Sequence, residues 1–341
     1  MAIDRVLLEI LGNYFQAIVE DMARIMERTA YTTFVKETTD FSTGLVSTGG
    51  EYVAYPWKLG ASPYLGLNMA SALRYFERYD EGDIVICNDA YLTGPLCTHL
   101  PDVHILRPIF HDGRIVSWGY AFVHSSDVGG AVPASVWPRA TEIFQEGLRL
   151  RPTKLYRAGV LNEDVRNLIL DNCRIPDLVW GDIKAMCAAV NSCDRRVGEM
   201  IRKFGVETFV EGVDAVLDYA ERRARAVLAR IPDGTYRFSD YMEDDLQSEV
   251  PIRITVALTV EGSAISICRT RRSLCWRKCR RTCGTGASTR STRGSRPSRR
   301  LGRRRWRTSR PRGPRSGRGF PGPSACGDGR SPAGTEMGRS G

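Results

Sequence analysis

The feature that most constrains this chain is the stretch from Asn88 to Gly130, NDAYLTGPLCTHLPDVHILRPIFHDGRIVSWGYAFVHSSDVGG. Two apolar, aromatic and β-branched runs, residues 103–110 and 114–123, flank His111-Asp112-Gly113, where the glycine is free to take a positive φ. That pattern predicts two strands paired antiparallel about a tight turn. All four histidines of the chain lie in this stretch, and two of them open the same short word, His99-Leu-Pro-Asp102 and His124-Ser-Ser-Asp127. Folding about the turn carries the first word, at the start of one strand, beside the second, at the end of the other.

A single strand histidine is more often a hydrogen-bonded structural residue than a ligand. Here the duplicated spacing and the juxtaposition point the other way, to His99, Asp102, His124 and Asp127 as ligands of a divalent metal. Neutral imidazoles mixed with carboxylates suit Zn, Mn or Fe(II) better than Ca or Mg, and the lack of thiolates argues against a closed structural zinc site. An open coordination position would activate water or polarise a carbonyl. His104, two residues after Asp102, shares its strand face and is a substitute ligand or a base. His111 sits in the turn and receives no role.

Other candidates flank this stretch. A short apolar strand, residues 84–87, delivers Asn88 and Asp89 to its C-terminal end, where binding groups commonly sit. Asp40 with Ser42 is either a substrate-binding or catalytic pair or an Asx-type turn. Gly129-Gly130 offers close backbone approach and exposed N–H groups for an anion, or a plain tight turn. Glu146, in TEIFQEG, is a second candidate base.

Around them the periodicity predicts a long amphipathic helix over residues 3–31 with Asp4 as N-cap, and a hairpin at 44–54 about Thr48-Gly49-Gly50. A helix is expected over 62–78, a helical turn at 141–147 and a strand or loop at 152–159. Further helices are expected over 162–172, from Gly181-Asp182 to Phe204, and over 207–230, the last two forming a helical hairpin. Strands follow at 235–241, 252–258 and 264–267. The fold class this implies is α+β, a mixed sheet with a central antiparallel hairpin packed by long helices, then the helical hairpin and a disordered tail.

Charge and cysteine separate the chain into two parts. The formal net charge is +10, but residues 268–341 hold 21 Arg and one Lys against Asp328 and Glu336, a surplus of twenty that leaves residues 1–267 acidic by ten. Five of the 10 cysteines fall in that tail, and the other five show no disulfide spacing, as suits reduced thiols. The first domain is therefore drawn as 1–267, with 268–341 a disordered Arg/Ser/Gly-rich segment. A basic nucleic-acid-binding arm is one reading of it. The favoured one is translation of a GC-rich gene out of frame, under which no nucleic-acid partner is expected. No apolar run approaches the ~20 residues of a membrane span, and the acidic N-terminus does not resemble a signal peptide. The expectation is a cytoplasmic protein without a membrane partner.

The words NDAY at Asn88, THLPDVH at Thr98, HSSDVGG at His124, IFQEGLRL at Ile143, KLYRAGVLNEDV at Lys154, NCRIPD at Asn172 and GDIKAM at Gly181, with DFST at Asp40, make an ordered set. That set resembles the hydantoinase B/5-oxoprolinase family, which includes B subunits of ATP-dependent N-methylhydantoinases and a subunit of acetone and acetophenone carboxylases. The resemblance implies a metal-dependent subunit acting on a small cyclic amide, or alternatively a ketone to be carboxylated, activated with ATP by a hydantoinase A-type ATPase partner. The family's metal-site words fall on His99, Asp102, His124 and Asp127, and no nucleotide motif occurs in this chain. Ala90 stands where the family usually has Pro, and the loop LTGPLC is longer than its short Gly-rich turn. Family members also continue for a few hundred residues beyond the start of the tail, so a truncated and inactive product is expected.

Overall fold

The structure is a computed structural model, described for residues 3–60, 67–243 and 251–270. All of these lie in the first of two compact units, residues 1–284. The tail expectation, disordered from 268 onward, falls outside the described residues apart from 268–270.

The chain opens with helix α1 (Arg5–Thr29), capped as expected by Asp4, whose carboxylate accepts from Leu7 N at 2.7 Å. Its buried stripe, Leu11, Phe15, Val19, Met22 and Met26, recurs every three or four residues. After the short helix α2 (Thr33–Lys36) come strands β1 (Phe41–Val46) and β2 (Tyr52–Ala54), then a single turn of helix, α3 (Ala70–Leu73). Strand β3 (Ile84–Cys87) precedes the long hairpin of β4 (Asp102–His111) and β5 (Arg114–His124). Strands β6 (Thr153–Arg157) and β7 (Val160–Leu161) lead to helices α4 (Glu163–Asp171), α5 (Pro176–Phe204) and α6 (Val206–Leu228). Strands β8 (Gly234–Met242), β9 (Ile252–Glu261) and β10 (Ala264–Thr270) follow.

Seven strands form one sheet in the order β2-β1-β5-β4-β3-β6-β7, and β10-β9-β8 form another. The α+β class and central hairpin stand as read. The sheet is not mixed, however, because every described strand pair is antiparallel. Short connections join β1 to β2, β4 to β5 and β6 to β7, and the non-consecutive neighbours β1–β5 and β3–β6 are antiparallel as well.

Alternation along β4 and β5 divides the core in two. Val103, Ile105, Ala121 and Val123 face α1 and α5, whereas Leu106, Trp118, Tyr120 and Phe122 face a second apolar layer with Met69, Leu73, Val85 and Cys87. Gly119 interrupts β5 where α5 crosses it: a Cβ there would lie 3.3 Å from Cys193 Cβ and 3.4 Å from Val190 Cβ. The missing side chain lets helix and sheet close up.

Three expectations are corrected. The helix expected over 62–78 is the single turn α3 in its described part. Met69 N is bonded to Gly50 O, and Asn68 caps Ala70, so its apolar residues pack an irregular segment instead. Helix α5 begins at Pro176, five residues before Gly181, using proline at its first turn. The last strand runs to Thr270, since ladder bonds with β9 continue past the last aliphatic residue.

Within α5, Asp182 is 2% exposed and accepts from Tyr31 N at 2.7 Å, Thr32 N at 3.2 Å and Thr32 Oγ1 at 2.5 Å. It fixes the turn between α1 and α2, one element before β1. Replacing it strands buried donors, so Asp182→Ala is expected to lower unfolding free energy by about 2–3 kcal/mol. Urea denaturation of both proteins checks this.

Candidate metal and substrate site

The sheet's pairing sets a row of polar residues at one end. In the β4–β5 register Asp102 lies opposite His124, the pair next to Val103 and Val123. On the other side of β5, Phe41 pairs with Val123, and His124 N donates to Asp40 O at 3.0 Å. Asp40, His124 and Asp102 therefore stand side by side across β1, β5 and β4. Thr39, just before Asp40, has φ +54°. That left-handed conformation costs a β-branched residue of order 1 kcal/mol and holds the entry to β1 in place.

His99 completes the group from the loop before β4. Its Nε2 lies 3.1 Å from Asp102 Oδ1, and its ring centroid is 4.9 Å from that of His124. The other carboxylate oxygen of Asp102 is held by Thr98, from N at 3.1 Å and from Oγ1 at 2.7 Å. Phe34 also stacks on His124, centroids 4.6 Å apart. The hydrogen bond with Asp102 raises the pKa of His99, reinforced by the charges of Asp102, Glu146 and Asp40. Burial lowers that of His124, and the neighbouring His99 lowers it further. His124 Nδ1 is buried and has no hydrogen-bond partner among the described residues.

Glu146 is brought in from a separate loop, where its Oε2 accepts from Leu100 N at 2.8 Å, one residue from His99. The cluster thus draws together His99, Asp102, His124, Asp40 and Glu146. Thr98 opens the word THLPDVH without a role of its own there, and Phe34 carries no motif signal, so only the folded geometry singles them out.

Six expected residues are placed otherwise. Asp127 does not meet the histidine pair as the second HxxD word suggested. The chain turns away after β5, and Asp127 accepts from Arg174 N at 2.5 Å, Arg174 Nη1 at 2.8 Å and Gly129 N at 3.3 Å. Gly129 and Gly130 serve the same knot. Both have positive φ, their carbonyls accept from Arg174, and added Cβ atoms would lie 2.6 Å from Asn172 O and 2.5 Å from Gln145 O. The amide of Asn88 is wholly engaged with backbone, donating to Leu100 O at 2.7 Å and Leu148 O at 2.9 Å and accepting from Leu150 N at 2.6 Å. It pins three segments together.

Asp89 is 0% exposed, and its Oδ1 caps Tyr91 N and Leu92 N while its Oδ2 lies 3.3 Å from Arg149 Nε. His104 is fully buried, with Nδ1 2.9 Å from Tyr120 Oη and its ring stacked on Tyr120 and Phe122. Burial lowers its pKa to about 3. A neutral, sealed imidazole cannot exchange protons with a substrate, so the base role expected of His104 is withdrawn.

The chain belongs to the Hydantoinase B/oxoprolinase family, whose profile matches residues 4–273. An uncharacterised protein of Methanocaldococcus jannaschii is 32% identical over 272 residues, 77% of this chain and 46% of that protein. Caprolactamase subunit beta of Pseudomonas jessenii is 29% identical over 265 residues, 76% of this chain and 45% of its own length. The crystal structure of the ATP-dependent caprolactamase from that organism superposes with a TM-score of 0.70 at 27% identity, covering 80% of this chain and 47% of that one. A 5-oxoprolinase of Dictyostelium discoideum is 28% identical over 267 residues, 74% of this chain and 20% of that protein. The chain thus spans less than half the length of these relatives. Among the described residues no helix is long and apolar enough to cross a membrane.

The burial of His104 has a consequence for stability. The unfolded chain takes up this proton near pH 6.5, the folded chain only near pH 3. Stability is therefore unaffected above that window and falls as pH drops through 6.5, by up to about 1.4 kcal/mol per pH unit. In His104→Gln the fall between pH 6 and 4.5 is expected to be shallower by about one proton's worth. Chemical denaturation across that range measures it.

Proposed function

We propose that this chain is the metal-holding subunit of an ATP-dependent cyclic amide hydrolase, acting on a small lactam, hydantoin or 5-oxoproline activated by a hydantoinase A-type ATPase partner. The observation that carries the reading is the row of Asp40, His124 and Asp102 across three strands, with His99 against Asp102. Family membership and similarity to a caprolactamase subunit and a 5-oxoprolinase support it.

Among the described residues, no three His, Cys, Asp or Glu side chains already sit at ion-holding distance. Two features nonetheless suit an ion. His99 Nε2 and Asp102 Oδ1 lie 3.1 Å apart, so both would be within reach of one ion. His124 presents a buried nitrogen with no described partner, and burial favours the neutral imidazole that coordinates metals. Strand pairing holds the backbones of Asp40, His124 and Asp102 together, so convergence on one ion asks for side-chain rotation only. His99, Asp102 and His124, with Asp40, would hold Zn, Mn or Fe(II).

Such an ion, when bound, lowers the pKa of a water and polarises the amide carbonyl. Thr98 holds one oxygen of Asp102, which leaves the other turned toward His99. Phe34 walls one side of His124 from water. Glu146, tied to Leu100 N through Oε2, keeps Oε1 to accept the proton of an attacking water.

The test uses the full chain, with the partner ATPase for activity. His124→Ala is expected to lower the bound metal measured by elemental analysis and to abolish ATP-coupled lactam hydrolysis. Metal content equal to that of the unaltered chain would overturn the assignment.

A further inference from the structure

A second polar feature lies beside the proposed metal group. Continuing the β3–β4 register beyond Cys87, which faces His104, sets Asp89 level with Asp102. On the far side of β3, Asn88 N bonds to Leu150 O at 3.0 Å. Leu148 and Leu150 pack into the helix-side core, and the residue between them, Arg149, is turned the opposite way, onto Asp89. The row Asp40–His124–Asp102 is therefore prolonged across two more chain segments by Asp89, just past the end of β3, and Arg149, in the loop before β6.

The surroundings of Arg149 are unusual for a purely structural ion pair. Its Nε lies 3.3 Å from the fully buried Oδ2 of Asp89, and its guanidinium carbon lies 5.9 Å from the ring centroids of both Tyr91 and Phe144. Those two rings are 70% and 71% exposed. One edge of the guanidinium is braced and its position is fixed by two aromatic rings, whereas Nη1 and Nη2 make no hydrogen bond among the described residues. A half-buried fork with two parallel donors free is the arrangement that binds a carboxylate bidentately. The same loop carries Glu146, whose contact with Leu100 places it next to His99.

We propose that Arg149, braced by Asp89 and flanked by Tyr91 and Phe144, is an oxyanion subsite that takes the carboxylate of a small ring-shaped ligand. The rings supply flat apolar walls for the ligand body, and the Nη edge supplies the charge. This deepens the proposed function, because it makes the site selective for cyclic amides bearing a carboxylate over neutral lactams of the same size.

The test is isothermal titration of the full chain with 5-oxoproline, with 2-pyrrolidinone, the same ring without the carboxylate, and with inorganic phosphate, in the presence of Mn²⁺. The unaltered chain is expected to bind 5-oxoproline at least ten-fold more tightly than 2-pyrrolidinone. Arg149→Met should remove that preference while leaving 2-pyrrolidinone binding within two-fold. Arg149→Lys, which keeps a charge for Asp89 but loses the fork, should reduce it several-fold and guards against misfolding of the methionine variant. A preference that survives both substitutions, equal weakening of both ring probes, phosphate binding more tightly than 5-oxoproline, or no binding of either ring probe overturns the subsite. Metal content of the same samples separates the two ideas. Metal bound with an unchanged preference removes the subsite alone, and a lost preference in a chain that binds no metal removes the metal reading alone.

Discussion

The site depends on the register of β5 between β1 and β4. Because side chains alternate along a strand, a one-residue slip would turn Asp102 or His124 into the helix-side core and bury a charge or an imidazole among Val103, Val123 and Ile183. The apolar alternation that opposes such a slip is strong on both faces. One side offers Val103, Ile105, Ala121 and Val123 to α1 and α5, and the other offers Leu106, Trp118, Tyr120 and Phe122 to the second core. The forces that choose the register are thus hydrophobic and spread over some twenty residues of hairpin, and the polar row at the strand ends follows from it.

Around that row, each buried carboxylate has been given a defined neighbour. Asp102 is held by Thr98 and His99, Asp127 by Arg174, Asp182 by the Tyr31–Thr32 turn, and Asp89 by two backbone N–H groups and Arg149. The roles divide by what remains to be bonded. Asp127, Asp182 and Asn88 are wholly engaged with protein donors or carbonyls and act as rivets. His99, His124, Glu146 and Arg149 are only partly engaged, and they lie along one end of the sheet. Groups with bonds still to make, gathered along one end of the sheet, are what a binding site requires.

Much of this was legible in the amino-acid order. The long first helix with its Asp4 cap, the hairpin about Gly113 and the helical pair α5–α6 follow from periodicity and turn residues, and the juxtaposition of His99, Asp102 and His124 follows from the hairpin. What could not be read is whatever depends on distant chain. The spacing of the second HxxD word is the same as the first, yet Asp127 is drawn off by Arg174, 47 residues later. His104 looks like a ligand by spacing but lies inside the second core, because Tyr120 and Phe122 close over it. The apolar residues around 70–79 mimic a helix, although they pack irregularly once Gly50 and Asn68 fasten the segment. Asp40 reads with Ser42 as either a functional pair or an Asx-type turn, and its place beside His124 comes from a pairing between strands some eighty residues apart.

The claim that strand pairing gathers these donors around one cation is tested most directly by anomalous diffraction at the manganese edge from crystals of the full chain grown with Mn²⁺. A single peak about 2.1–2.3 Å from nitrogen of His99 and His124 and oxygen of Asp102 is the expected result. A peak at some other group of side chains, or none at this end of the sheet, would contradict it.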